Sequence, residues 1–437
     1  MSREVTPIVL PRGFRRLPLA ERRAALADAL GCELPSALCG DAETSAVADL
    51  LVENAIGTFA LPVGLATGFR VDGQDLVVPL ATEEASVVAA ASYGARLLSE
   101  GEGGAGIRTE ADPPIATVQL FVEQPHNDAE HAVRAARDEI AALVDDAVAS
   151  LVRRGGGFRS LTGQRVGDVL KVEIDLDVRD AMGANKVNTA GEAVRPLLER
   201  LTGGRTLMAI VTNASRRALV RASGQVPCSR LGRGGFSGAE VAQRIVRAAA
   251  IAAADHDRAV THNKGVLNGI AALTQATGND TRAVEAAAHG WAASGAGYAP
   301  LTSYGMSGGL LHGRLECPLP LGTVGGAVGA HPVSRFALRI LGNPNSRRLA
   351  AVGAAVGLAQ NLAALRALVT EGIQQGHMRL HAERLAFDAG ARGAEVREIA
   401  TALADTGRMD VATARQLLRT HRVAHPNRQQ QASDDRD

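Results

Sequence analysis

The order of strand and helix patterns between residues 115 and 211 restricts the fold of this chain more than any other feature. Apolar residues alternate with polar ones in four short runs, IATVQLFVE, FRSLTGQRV, VLKVEIDLDV and TLMAIVTN. A helical period occupies the long stretch after His126 and a second stretch that begins near Asn188. This β-α-β-β-α-β order is that of a ferredoxin-like unit of roughly one hundred residues. We therefore expect an α+β protein with such a unit inserted into a larger mixed helical and β domain.

Helical and hairpin patterns lie on both sides of this unit. Residues 14–57 show short helical patterns, and the Asp-Gly pair at 72–73 separates two alternating runs, as in a β-hairpin. The stretch 99–114 is dense in glycine, proline and charge, which is typical of a flexible hinge and marks a boundary. Beyond residue 215 we expect a long helix, the segment around Lys264, a second hairpin and a mostly helical C-terminal part.

At 437 residues the chain is too long for one ordinary core, so several structural units are expected. The tail HPNRQQQASDDRD is too polar to pack and is expected to be disordered. The predicted division is 1–112 for the first part of the large domain, 113–217 for the small domain, 218–371 for the second part of the large domain, 372–425 for a C-terminal helical segment and 426–437 for the tail.

Composition excludes several classes of partner. The 47 basic and 46 acidic residues give a formal charge of +1, and only 3% of residues are aromatic, so neither nucleic acid nor an anionic membrane is favoured. Four cysteines without CxxC spacing argue against a disulfide scaffold or a zinc site. The charged, proline-broken N-terminus lacks a signal-peptide core, and the apolar runs are too short for a membrane span. We expect a soluble cytoplasmic protein without a metal.

The stretch THNKGVLNGIAALTQATGND, residues 261–280, places a single lysine among amides and a carboxylate in an otherwise small and apolar segment. In a weakly solvated pocket Lys264 stays charged only if oxygens such as those of Asp280 replace its water. A cation held in this way can stabilise a developing oxyanion. A structural ion pair that caps a helix explains this segment alone equally well.

A second candidate site is DAMGAN, residues 180–185, between a strand and a helix predicted to begin near Asn188. Its flexible Gly183 and open backbone amides could cradle a diphosphate at the helix N-terminus. An ordinary strand-to-helix turn is the alternative. The later GGAVG lacks the acidic residue that a dinucleotide fingerprint needs, so close backbone approach to a ligand or a neighbouring strand is the expected reason for those glycines.

Two further motifs contain groups that can transfer protons. Glu83 and Glu84 lie between a strand end and a helix of small residues, where helix capping is the simpler explanation. His377 and His381 are four residues apart on one helix face, but the motif lacks the glutamate of HExxH and a third ligand. A zinc protease is therefore disfavoured. A proton donor at His377 and an ordinary surface histidine both remain open.

Seven motifs, taken in order, resemble those of the hydroxymethylglutaryl-CoA reductase family in its soluble bacterial (class II) form. The resemblance spans residues from about 14 to 420 and rests on ENAIGTFALPVG, VVPLATEEASVVAAAS, DAMGANKVNTAGEAV, THNKGVLNGI, ATGND, GTVGGAVGAHP and EGIQQGHMRLHA. It implies interconversion of 3-hydroxy-3-methylglutaryl-CoA and mevalonate plus CoA with two nicotinamide cofactors, and a homodimer, or a higher oligomer of dimers, with sites at the interface. Reduction of another CoA thioester, or a catalytically silent binding protein, are the alternatives.

The same resemblance assigns roles to residues of this chain. It implies that Glu84, Lys264 and Asp280 form one catalytic network and that His377 donates a proton from a mobile C-terminal flap. It also makes the inserted unit a cofactor-binding domain. Cofactor binding is implied for Asp180, Met182, Gly183 and Asn185, and substrate binding for Ser86, Arg258 and Asn268.

Cofactor choice is predicted from the end of the first helix of the small domain, where an acidic residue would bind ribose hydroxyls and repel a 2′-phosphate. The alignment of motifs places Val148 at this position, with Asp145 and Asp146 just before it and Arg153 and Arg154 just after it. The acids favour NAD(H) and the arginines favour NADP(H). We predict NAD(H).

Overall fold

The structure, a computed structural model, describes residues 8–101 and 106–424, with residues 373–380 described only as backbone. Helices and antiparallel sheets are mixed along the chain, so the expected α+β class is confirmed. Most buried apolar side chains fall into three clusters, one for the large central body, one within residues 118–198 and one within residues 382–418. The predicted tail, residues 426–437, lies outside the described residues.

The chain begins with three short helices and a hairpin. The helices are α1 (Leu19–Leu30), α2 (Ser36–Cys39) and α3 (Ala42–Leu51), and the hairpin strands are β1 (Val63–Val71) and β2 (Gln74–Ala81). Asp72 and Gly73 connect the strands with φ of 52° and 80°, the positive values that a tight two-residue turn needs. The hairpin predicted there is confirmed. Strand β2 then leads through Glu84 into α4 (Val87–Ser99).

A four-stranded antiparallel sheet forms the β part of the central body, with the order β3-β8-β10-β9. Its strands are β3 (Arg108–Ala111), β8 (Leu219–Pro227), β9 (Thr302–Ser307) and β10 (Leu310–Pro318). The prediction of a flexible hinge over 99–114 is wrong for 108–111, because these residues hydrogen-bond to β8 as an edge strand. The pairing of Ala111 with Val220 shows that the chain leaves this sheet and returns to it at one place.

The residues between these two strands form a second four-stranded sheet. Its strands are β4 (Ile115–Glu123), β5 (Gly157–Val166), β6 (Val169–Asp177) and β7 (Arg205–Val211). They are arranged in the order β5-β6-β4-β7 with antiparallel neighbours. The connecting helices are α5 (Ala129–Ala135), α6 (Arg137–Ala147), α7 (Ala149–Val152) and α8 (Ala184–Thr202). The chain therefore follows the β-α-β-β-α-β order read from the sequence.

Two helix predictions in this region need correction. The single long helix after His126 is divided into α5, α6 and α7 at Ala136 and Val148. Each of these two residues still has i→i−4 hydrogen bonds on both sides, since its N–H donates to the residue four positions earlier and its C=O accepts from the residue four positions later. The result is one bent helical path. Helix α8 begins at Ala184, about one turn before the predicted Asn188, because Gly183 supplies the positive φ that starts the helix early.

The remaining helices of the central body are α9 (Gly238–Ala254), α10 (His256–Ala276), α11 (Thr281–Ala292), α12 (Gly326–Ala330), α13 (Pro332–Ile340) and α14 (Ser346–Val369). Helix α14 is buried along most of its length and packs against α4, α9 and α10. A Cβ added to Gly94 of α4 would lie 2.0 Å from Ala359 O of α14, so these two helices meet backbone to backbone. Small residues on α14 therefore allow close packing on every side.

Three helices complete the chain and pack mainly on one another. They are α15 (Ile373–Asp388), α16 (Ala394–Thr406) and α17 (Val411–Ala424), with a buried cluster of their own. In the described part of the chain, one helix, Ser346–Leu368, is long and apolar enough to cross a membrane, but 89% of that window is buried inside the protein. It is the core helix of the central body.

Candidate active site

Lys264 and Glu84, 180 residues apart in the chain, form an ion pair. Lys264 projects from α10, which starts at the side chain of Asp255, the N-cap that accepts a hydrogen bond from Arg258 N. The Lys264 Nζ lies 2.8 Å from Glu84 Oε2. Asn268, one turn later on the same helix face, donates to Glu84 Oε1 at 3.5 Å. Three of the residues predicted for the site thus meet within one chain.

The loop that carries Glu84 is held in an uncommon conformation. Glu84 N donates to Thr82 Oγ1 at 3.1 Å, which orders the turn after β2. Two residues on, Ser86 has a φ of 74°, a left-handed conformation that costs energy for a residue with a side chain. Ser86 is the N-cap of α4, yet its side chain makes no capping bond and is exposed. Its hydroxyl can therefore contact a substrate bound beside Glu84.

One chain does not supply the weakly solvated pocket expected around Lys264. The side chain of Lys264 is 60% exposed and that of Glu84 is 38% exposed. The apolar residues of α10 face the core, on the side of the helix away from Lys264. Burial of the pair requires substrate or a second protein surface.

The two residues before Lys264 attach its helix to the loop and strand that follow α11. Asn263 Nδ2 donates to Ala299 O at 2.9 Å, and Leu301 N donates to Asn263 Oδ1 at 2.8 Å. No role was predicted for Asn263. Its position beside Lys264 in an apolar segment could have indicated a structural role, because a buried amide needs hydrogen-bond partners.

His262 belongs to a buried polar network on the same side of α10. Its Nε2 hydrogen-bonds to Thr302 Oγ1, while the Thr302 hydroxyl donates to Asn361 Oδ1 at 2.9 Å. Because that hydroxyl has one proton to donate, the imidazole proton lies on Nε2 and the buried Nδ1 has no partner. Burial lowers the pKa of His262 from 6.5 to about 4. The imidazole is therefore neutral and serves to anchor the helix.

Asp280 is not the partner of Lys264 in this chain. Its Oδ1 lies 3.1 Å from Arg282 Nε and also caps α11, and the hydrogen bond from Arg282 is the main cause that lowers the Asp280 pKa. Asn279 N donates to Thr274 O, so Asp280 lies at the C-terminal end of α10. Ten residues of helix, about 15 Å, separate Lys264 from Thr274. The expected Lys264–Asp280 pair is therefore wrong within one chain.

The turn 180–185 brings together the four residues predicted to bind the cofactor. Asp180 Oδ1 accepts a hydrogen bond from Ser346 N at 2.9 Å, which docks the turn on the N-terminus of α14. Met182 lines a cleft between the small sheet and residues 320–321. Asn185 lies in the first turn of α8. The turn is thus held firmly on one side and open on the other.

This turn fits a diphosphate group. Gly183 is the N-cap of α8 with a φ of 96°, and no side chain caps the first N–H groups of this 19-residue helix. A Cβ at Gly183 would lie 2.5 Å from Val178 Cγ1, so the cradle depends on glycine. Unpaired amides and the positive end of the helix dipole favour an anion at this place.

The later glycine loop, GGAVG, has open space around its first two glycines. Gly325 and Gly326 adopt φ of 85° and 51°, and no heavy atom lies within 4 Å of a Cβ built on either. Among the described residues no strand packs against this pair, and close approach of a ligand to these glycines stays a prediction. Both are glycine because the chain needs positive φ at the start of α12.

Comparison with known proteins places these elements in a family. A family model described as hydroxymethylglutaryl-coenzyme A reductase matches residues 18–382. The 3-hydroxy-3-methylglutaryl-coenzyme A reductase of Archaeoglobus fulgidus is 43% identical over 413 residues, covering 93% of each chain. A probable reductase of the same name from Borreliella burgdorferi is 30% identical and covers 86% of each. The chain belongs to the hydroxymethylglutaryl-coenzyme A reductase family.

A solved structure agrees with this assignment. The class II reductase from Streptococcus pneumoniae, bound to NADPH in open conformations, has a TM-score of 0.73 and 40% identity to this chain. The match covers 87% of this chain and 93% of that one. The resemblance to the class II form of the hydroxymethylglutaryl-coenzyme A reductase family is thereby confirmed.

The position aligned with cofactor choice in this family is buried here. The Val148 side chain is fully inside the core of the small sheet, so it cannot contact a ribose. Asp145 Oδ1 accepts the hydrogen bond of Phe158 N at 2.7 Å, which engages that carboxylate. Asp146 and the two arginines after the helix remain exposed. Burial therefore argues against Val148 as a ribose contact, whereas Asp146 is an acidic side chain nearby that solvent can reach.

Arg258 and His377 are the two other residues that the resemblance to the reductase family implies for this site. Arg258 lies in the first turn of α10, about 9 Å along the axis from Lys264, without a recorded contact to Glu84. His377 lies on α15, but its side chain is outside the described residues. Among the described side chains, no group of three His, Cys, Asp or Glu residues could hold a metal ion.

Proposed function

We propose that this chain interconverts 3-hydroxy-3-methylglutaryl-CoA and mevalonate plus CoA, with two equivalents of a reduced nicotinamide cofactor. The observation that carries the proposal is the Lys264–Glu84 pair, with Asn268 beside it and the strained Ser86 two residues from Glu84. A cation next to a proton donor is what two successive carbonyl reductions need. Membership of the reductase family supports the same reaction.

Lys264 is the group that stabilises negative charge. Hydride addition to the thioester carbonyl places charge on its oxygen, and an ammonium aimed at that oxygen lowers the barrier. The bound nicotinamide supplies the hydride in each reductive step. Asn268 holds the Glu84 carboxylate beside the ammonium, so the two groups act at one carbonyl.

Proton transfer is divided between two residues in this proposal. Reduction of the thioester gives a hemithioacetal. Its collapse yields mevaldehyde and the thiolate of CoA, and His377 on α15 protonates this thiolate. Glu84 then donates a proton to the mevaldehyde oxygen during the second reduction. Ser86, Arg258 and Asn268 hold the hydroxymethylglutaryl portion. The helical segment 372–425 acts as the flap that carries His377 to the site.

The small domain, residues 113–217, is proposed to bind the cofactor. Asp180, Met182, Gly183 and Asn185 form the turn that receives its diphosphate at the N-terminus of α8. The chain leaves and re-enters the central sheet at paired strands, which supports treating these residues as an insert. We place the protein in the cytoplasm. Reduced nicotinamide cofactors are available there, and its reducing conditions suit a protein whose four cysteines form no disulfide.

NADH is the proposed cofactor. Asp146 is exposed near the C-terminal end of α6, where a carboxylate would bind ribose hydroxyls and repel a 2′-phosphate. Arg153 and Arg154 are exposed shortly after it and would act in the opposite direction. Initial rates with NADH and NADPH at equal concentration test the choice, in the wild type and in Asp146→Ala. A strong preference of the wild type for NADPH would overturn it.

We also propose that each site is formed by two chains. Lys264 lies near the middle of α10 with Glu84 against it, whereas Asp280 follows the C-terminal end of α10, at least about 15 Å along the helix axis from Lys264. If all three belong to one site, Asp280 must come from a second copy. That copy would also shield Lys264 from solvent. Exposed apolar side chains before and in the first strand of the hairpin that precedes Glu84 offer a surface for this contact, namely Leu50, Val52, Phe59, Val63 and Leu65.

Mixing of inactive variants tests this arrangement. After dissociation and reassociation, Lys264→Ala and Asp280→Ala should together recover about a quarter of the wild-type activity, because half of the dimers are mixed and each has one intact site. Glu84→Ala mixed with Lys264→Ala is the control and should recover none, since both residues come from the same chain. Equal recovery in the two mixtures would contradict the two-chain site.

A substrate panel separates the main proposal from its alternatives. Cofactor oxidation should be seen with 3-hydroxy-3-methylglutaryl-CoA and with mevaldehyde. Preference for a different acyl-CoA would identify another thioester reductase. Binding of the thioester without cofactor oxidation would identify a silent relative.

A further inference from the structure

The loop that carries Asn279 is joined to the backbone of Gly322 by a two-way hydrogen bond. Asn279 Nδ2 donates to Gly322 O at 3.0 Å, and Gly322 N donates to Asn279 Oδ1 at 2.7 Å. One side-chain amide thus pairs with both polar groups of one peptide residue. A further bond from Nδ2 to Thr277 Oγ1, at 3.0 Å, holds the amide in this orientation.

Gly322 in turn lies directly against the turn 180–185. A Cβ at Gly322 would be 2.5 Å from Met182 N and 3.2 Å from Asp180 O, so the backbones touch where a side chain cannot fit. The next residue, Thr323, donates its N–H to Asp180 O at 2.7 Å. A shift of Gly322 would therefore shift the turn.

We propose that Asn279 is a positioning residue for the nicotinamide cofactor and acts through Gly322 on the turn 180–185. The inference rests on the proposed role of that turn as the seat of the diphosphate. Because Asp280 follows Asn279 in the chain, the same amide holds the carboxylate and the cofactor turn at a set separation. The loop that carries Asn279 and Asp280 and the turn 180–185 therefore form one part of the proposed site. The part that contains Lys264 and Glu84 is separate from it.

The pairing requires an amide rather than any polar side chain. Alanine would leave the Gly322 N–H and C=O without their partner. Aspartate would keep the acceptor but direct a second oxygen at the Gly322 carbonyl oxygen, which repels it. Both changes should loosen the contact between Gly322 and the turn while leaving the Lys264–Glu84 pair intact.

Calorimetric titration of the full chain tests this role. NADH, NADPH and 3-hydroxy-3-methylglutaryl-CoA are titrated separately into wild type, Asn279→Ala and Asn279→Asp. We expect the dissociation constant of the preferred cofactor to rise about tenfold in both variants, while that of the thioester changes less than about twofold. Gln275→Ala, an exposed change on the last turn of α10, is the matched control and should change neither constant.

A purely structural role would give a different result. It would lower the melting temperature and the fraction of protein that binds, but leave both dissociation constants of the folded fraction unchanged, and this outcome would overturn the proposal. Gly322→Ala provides a second variant that keeps Asn279 and crowds Met182 N. It should weaken cofactor binding and spare thioester binding.

Changes in the turn itself separate the inference from the proposed function. If Asp180→Ala and Gly183→Val weaken cofactor binding but the Asn279 variants do not, the positioning role is wrong and the turn keeps its assignment. If neither set weakens cofactor binding, the turn does not bind the cofactor. Weakening by both sets supports the inference.

Discussion

Replacement of His262 by glutamine should make the protein less sensitive to acid. His262 is buried, and its imidazole is neutral, with the proton on Nε2 bonded to Thr302. Its pKa is lowered to about 4 by burial, whereas the unfolded chain restores the ordinary value of 6.5. The unfolded state therefore binds a proton more readily, and the stability contributed by this group is complete above pH 6.5 and is lost as the pH falls toward 4.

The size of the effect follows from the difference between the two pKa values. Full protonation of the unfolded state would remove roughly 3 kcal/mol of unfolding free energy, and about 2 kcal/mol of this is lost by about pH 5. Glutamine at position 262 can still donate a hydrogen bond to Thr302 but does not titrate. The variant should therefore lose about 2 kcal/mol less than the wild type between about pH 7.5 and pH 5.

Urea unfolding at these two pH values measures the difference. His131→Gln, which removes an exposed histidine on α5, controls for the loss of a histidine as such. The wild type and His131→Gln should show the same acid loss, and His262→Gln a smaller one. An equal loss in all three proteins would refute the buried neutral imidazole.

Three further changes test separate parts of the structure. Gly94→Ala, whose Cβ would lie 2.0 Å from Ala359 O, should destabilise the protein by about 3 kcal/mol or more, and thermal unfolding measures it. Asn263→Ala leaves the buried Leu301 N–H unpaired, so urea unfolding should show a loss of about 2 kcal/mol of unfolding free energy. Kinetic assays of the same variant should show a lower kcat and an unchanged KM for the thioester. Glu84→Gln should slow mevaldehyde reduction about 100-fold or more, since the amide cannot donate the proton; an active variant in the mevaldehyde assay would contradict that role.

Local patterns in the sequence were sufficient for much of the fold. The hairpin at Asp72 and Gly73 and the four strands of the small sheet depend on residue alternation and turn residues, which act over a few positions. The strand at 108–111 was missed because its signal is four residues long and lies in a glycine- and proline-rich stretch. Its pairing with β8 depends on residues more than one hundred positions away.

The site shows the same division between local and distant information. Motifs located Glu84, Lys264 and Asn268, and the structure joins them. Nearness in sequence suggested a Lys264–Asp280 pair. The C-terminal part of α10 runs between the two residues and holds them apart, and the composition of this segment does not show that distance. The burial of Val148 could have been predicted, because Ile140, Val144, Val148 and Leu151 recur at the spacing of one helix face.

The rate of cofactor oxidation by Lys264→Ala, with the thioester and with free mevaldehyde as separate substrates, tests the proposed reaction most directly. Loss of the ammonium should reduce both rates about 100- to 1000-fold or more, because the same cation serves both carbonyl oxygens. His377→Gln should lose activity mainly with the thioester. A Lys264→Ala enzyme that keeps the wild-type rate with either substrate would contradict the role of Lys264 in both reductive steps.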